Sequence, residues 1–166
     1  GRFVSTRTEI EPDQRRRHRS TCRLLENIMG LWLVQQCKRS FDSAGRNHHY
    51  PQLAQMAAQG KPLRSIINPD DPRFLNSPDM PGAIQKFCHE TKQPVPKTDG
   101  ELVRCCHESL VFKYRETLGS LEELTGNKID LIHIVGGGSQ IKILNQLVAD
   151  TWPVEGFFGE HGTRQQ

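Results

Sequence analysis

The sequence predicts an α/β fold, and three segments carry that prediction. Leu24, Leu25, Ile28, Met29, Leu31, Trp32, Leu33 and Val34 fall within eleven residues and wrap almost the whole circumference of a helix. A helix apolar all round is buried all round. Asp130-Leu131-Ile132-His133-Ile134-Val135 is a β-branched, apolar run of strand length, the kind found inside a sheet. Gly136-Gly137-Gly138-Ser139 follows at once, and Ile141, Leu144, Leu147 and Val148 then resume helical spacing. That unit reads strand, triple glycine, helix.

The other elements follow in chain order. Residues 1–20 show no hydrophobic period and read as a disordered leader. After the apolar helix, Ser40–His49 is polar and contains Gly45, which predicts a loop. A short helix is expected from Pro51 to Ala58, ended by Gly60 and Pro62. Ser65-Ile66-Ile67 has the composition of a brief strand. Asn68-Pro69-Asp70-Asp71-Pro72-Arg73-Phe74 is turn chemistry throughout, with two prolines fixing φ and three side chains able to bond nearby amides. Ile84, Phe87 and Cys88 give Pro81–Thr91 helical spacing, and Pro94 and Pro96 interrupt it. Thr98 with Glu101 three residues on is a capping-box pattern. Leu102, Cys106, Leu110, Tyr114, Leu118 and Leu121 then form one apolar stripe, ended by Gly126-Asn127.

A chain of 166 residues with 35% hydrophobic side chains is enough for one domain, or one lobe of something larger. No run of 18 uncharged apolar residues occurs, and the arginine-rich start lacks the apolar core of a signal peptide, so the expected location is cytoplasmic. The net charge of +3 is carried by the leader, which has six Arg against Glu9, Glu11 and Asp13; the remaining residues balance. Charge therefore argues against a nucleic-acid surface on the globular part. Cys22, Cys37, Cys88, Cys105 and Cys106 match no paired zinc spacing and read as reduced, mostly buried thiols.

Two segments carry candidate chemistry. Glycines at a strand–helix junction let a ligand touch backbone, and the helix start offers free amides and the positive end of a dipole. Gly136, Gly137, Gly138 and Ser139 thus fit a nucleotide site; they equally fit a tight turn with close helix–strand packing. Neither a P-loop nor a G-x-G-x-x-G pattern is present. On the apolar helix, Asn27 and Gln35 lie about 12 Å apart along the axis and roughly 80° around it. Buried amides need partners, supplied either by protein groups at the helix ends or by a ligand in a cleft. His133 reads as a core histidine, His48-His49 as an exposed loop pair, and Asp70 and Asp71 as turn-makers.

Three stretches, in this order, resemble the sugar kinases of the FGGY family, and the rhamnulokinases among them. They are Leu25-Glu26-Asn27-Ile28-Met29-Gly30-Leu31-Trp32-Leu33-Val34-Gln35, then Ile67-Asn68-Pro69-Asp70-Asp71-Pro72-Arg73-Phe74, then His133-Ile134-Val135-Gly136-Gly137-Gly138-Ser139-Gln140 with Leu144-Asn145-Gln146. The resemblance implies part of the C-terminal lobe of an actin-like, ribonuclease-H-like ATPase fold, truncated, over residues 21–150. It implies transfer of the γ-phosphoryl group of ATP, with Mg²⁺, to the 1-hydroxyl of L-rhamnulose. Asn27 would bind the sugar, Gln35 the nucleotide, and Gly136, Gly137, Gly138 and Ser139 would form the backbone approach to it.

The ends depart from the family. The resemblance implies an N-terminal lobe, and with it a general-base aspartate upstream of the Asn27 helix, so no catalytic residue is assigned here and the chain alone is expected to be inactive. After Ser-Gln the family has Asn where this chain has Ile141. Before the Asn27 helix the family reads Asn-Glu-Gly-Gly, where this chain has Gln14 to Arg19. One reverse translation of Gln14–Ser20, CAA CGA AGG CGG CAT CGA TCC, gives Asn-Glu-Gly-Gly-Ile-Asp when read one base later; on that reading the leader stands in a shifted frame. Residues 151–166 form an atypical tail. A non-catalytic nucleotide-binding or regulatory domain is the alternative reading.

Overall fold

The computed structural model describes residues 8–9, 30–75, 77–129, 131–134, 139–151 and 156–159, with backbone alone at 8–9, 30–31, 131, 133 and 156–159. Its contacts divide the chain into two units, one of Met29–Lys113 and one of Gly1–Ile28 with Tyr114–Gln166.

Within Met29–Lys113 the regular elements among the described residues are helical. They are α1 (Gly30–Ser43), α2 (Tyr50–Gln59), a 3-10 turn at Pro72–Phe74, α3 (Met80–Glu90) and the first half of α4 (Asp99–Thr125). On α1, Leu33, Cys37 and Phe41 stand four residues apart and are buried, with Val34 beside them. Gln35 is exposed and Trp32 half-buried. Among its described residues the helix hides one face, not the whole circumference expected from its composition. It also continues through Ser40–Ser43, where a loop was expected. Phe41 extends the buried stripe by a turn, and Lys38 Nζ reaches Asp42 Oδ2 at 2.6 Å, a pair at i,i+4.

Helices α2, α3 and α4 lie within a residue or two of their expected bounds, because their ends are set locally. Pro51 and Pro81 sit in first turns, where a missing N–H costs nothing. Thr98 Oγ1 accepts the Glu101 N–H at 3.2 Å, while Glu101 Oε2 accepts those of Lys97 and Thr98 at 2.7 and 3.2 Å. The capping box is made, and those amide bonds hold the Glu101 carboxyl below the usual carboxylate range. Gly100 lets the start of α4 touch α2: a Cβ there would stand 2.7 Å from the Met56 carbonyl oxygen.

The turn at Asn68–Phe74 is built as its residues suggest. Asn68 Oδ1 accepts from the Asp70 N–H and Asp71 Oδ1 from the Arg73 N–H, which leaves Phe74 buried. Lys113 Nζ meets Asp70 Oδ2 at 2.7 Å. Ser65–Ile67 is not a strand. Side chains occupy its backbone instead: Gln93 bonds both polar groups of Ile66, and Ser109 Oγ accepts the Ile67 N–H at 2.9 Å. His48 is half-buried, not exposed, because Asp99, itself 6% exposed, takes it at 3.0 Å and Arg46 at 2.8 Å. A buried carboxylate needs such partners.

The other unit holds the second half of α4, with Leu118 and Leu121 buried, and a small sheet. The strands are β1 (Thr8–Glu9), β2 (Leu131–Ile134) and β3 (Gly156–Gly159), with β2 in the middle. Thr8 and Glu9 face Ile134 and His133 antiparallel; of the expected leader these two residues are described, and the rest lies outside the described residues. Leu131 to Ile134 pair with Gly156 to Gly159 in parallel, and α5 (Lys142–Thr151) makes the crossover that parallel neighbours require. Helix dominates the described residues, and the alternation of strand and helix expected for the whole chain is confined among them to this unit.

Candidate functional site

The junction of β2 and α5 is where the strand–glycine–helix unit was expected. Ile132 and Ile134 are buried on β2, and Leu144 and Val148 on α5, so both sides of the junction are anchored by apolar contacts. Positions 135–138 lie outside the described residues, Gly136, Gly137 and Gly138 among them. Ser139, half-buried, and Gln140, exposed, form a 3-10 turn that leads into α5. The Asn145 N–H makes the first helical bond, to the Ile141 carbonyl at 3.0 Å.

The first turn of α5 holds no acidic side chain that would repel an anion at this helix start, and exposed Lys142 begins it. The leading N–H groups of any helix lack intrahelical acceptors and sit at the positive end of its dipole. Asn145 adds a feature that sequence reading did not isolate: its Nδ2 donates to the Ser139 carbonyl oxygen at 2.7 Å, and its Oδ1 is buried without a partner. The signal available was an amide one turn inside a helix that follows glycines, at a place quoted above only as part of a longer resemblance.

Gln35, the other described candidate, is exposed on α1 in the Met29–Lys113 unit, and Asn27 lies outside the described residues. Cys105, Cys106 and His107 of that unit are not poised for chemistry. Cys105, hydrogen-bonded with Cys88 and buried, has its thiol pushed well above the usual range, while the same bond draws Cys88 down. Cys106 is likewise raised, by its bond with Cys37 and by burial. His107 is 2% exposed, neither ring nitrogen has a partner, and burial with nearby Arg104 pushes its pKa down to about 4. The raised thiols of Cys105 and Cys106 and a neutral, sealed imidazole at His107 are structural groups. Among the described residues no three His, Cys, Asp or Glu side chains converge as ligands for a metal ion, and none of their helices is long and apolar enough to cross a membrane.

Comparison with known proteins decides the family. Residues 12–154 match the family model of the FGGY family of carbohydrate kinases, C-terminal domain. The chain belongs to the FGGY family of carbohydrate kinases. Among curated FGGY relatives, it is 43% identical over 130 residues to the rhamnulokinase of Bacteroides thetaiotaomicron. It is 42% identical over 133 residues to that of Enterococcus faecalis, and 45% over 128 residues to that of Yersinia pestis strain Pestoides F. These matches take in 77 to 79% of this chain and 26% of each relative. This FGGY chain thus spans about a quarter of the length of the relatives it matches.

Proposed function

We propose that the chain is the nucleotide-side part of a rhamnulokinase-type enzyme, in which ATP phosphorylates the 1-hydroxyl of L-rhamnulose. The observation that carries the reading is the identity of 42 to 45% with rhamnulokinases, whose names supply the substrate class. The β2–α5 junction supports it, since its acid-free helix start, opened by Lys142, suits a polyphosphate. In this proposal the fold is the actin-like, ribonuclease-H-like lobe over residues 21–150, flanked by the leader and the tail, in which β3 lies. Gly136, Gly137, Gly138 and Ser139 approach the nucleotide through backbone. Gln35 contacts the nucleotide, and Asn27 a sugar hydroxyl.

Phosphoryl transfer consists chiefly of positioning and charge stabilisation, which one surface alone does not supply. The chain by itself is therefore expected to bind ATP weakly and turn nothing over. No Mg²⁺ ligand is assigned to this chain, because its described residues form no cluster of cation ligands, and no step is routed through the ion. The deciding experiment supplies the rest of a rhamnulokinase in trans and assays phosphorylation of L-rhamnulose. Rescue supports the kinase reading. ATP binding without rescue by a partner shown to associate turns the assignment to the non-catalytic nucleotide-binding domain.

A further inference from the structure

We draw no further inference here: the strongest candidate, the cleft beside exposed Leu63 that Arg64, Ser65, Pro94, Arg104, Cys105 and Glu108 help to line, carries none, because its carboxylates Glu101 and Glu108 are already paired with Arg64 and Arg104 and nothing in the structure shows what covers it.

Discussion

Lowering the pH should weaken the Met29–Lys113 unit through one residue, His107. The imidazole is 2% exposed, its ring nitrogens have no partners, and its pKa is pushed down to about 4 from 6.5. When the folded-state pKa of a base is depressed, the unfolded chain takes the proton first as pH falls. The contribution is therefore whole above about pH 6.5 and is lost progressively down to about pH 4. Two and a half units correspond to about 3 kcal/mol at most, with a slope near 1.4 kcal/mol per pH unit inside the window. Carboxyls held low, such as Glu101, lose their contribution from about pH 4.5 downward, at the acid end of that window. Comparison with His107→Leu isolates the histidine. Leucine has a similar volume and no polar atoms, so at pH 7 it should stabilise by about 1–3 kcal/mol by removing two unpaired buried nitrogens. Urea unfolding at intervals from pH 4 to pH 8 gives both numbers. The natural protein should fall away from the variant below pH 6.5; parallel curves across pH 4 to 6.5 would refute the reasoning, since they would mean that His107 titrates alike folded and unfolded.

Further outcomes are expected at other positions. Gly100→Ala drives a Cβ to within 2.7 Å of the Met56 carbonyl oxygen, and overpacking of this kind costs about 1–3 kcal/mol, read as a lower urea midpoint with unchanged slope. Thr98→Ala removes the acceptor for the Glu101 N–H and should cost about 1 kcal/mol; a midpoint equal to the natural protein's would show that Glu101 alone holds the end of α4. Gly137→Val should abolish ATP shifts in NMR titration without unfolding the chain, and undiminished binding would reduce the triple glycine to a turn. Deleting residues 1–20 removes β1, a two-residue strand, and should leave the melting temperature nearly unchanged; a loss of several degrees would show that the leader packs on the sheet.

What sequence made legible was local. The ends of α2, α3 and α4 were readable because Pro51, Pro81, Thr98 and Glu101 act within one turn of themselves. What it hid depended on partners far along the chain. Phe41 lies in the stretch read as a polar loop, yet it completes a stripe with Leu33 and Cys37 that is apolar only on one face. His48 looked solvated because its partner, Asp99, is 51 residues away. At the site, strand and helix were legible from their opposite periodicities, and Ser139 stands between them as expected. The Asn145 bond was not legible, because it runs backward across the turn to Ser139, which no cap pattern encodes.

The Gln93 carboxamide presents to Ile66 the same pair of groups that a neighbouring backbone would. Its Oε1 takes the Ile66 N–H at 2.7 Å, and its Nε2 gives a proton to the Ile66 carbonyl at 2.8 Å. Backbone N–H and C=O groups left open are a template on which another chain can add itself, and hence a seed for aggregation. One glutamine closes both at the price of no extra strand. Replacing it with an apolar residue of equal size would free both groups of Ile66 for intermolecular pairing, so its loss should surface as poor solubility on concentration together with a lower folding free energy.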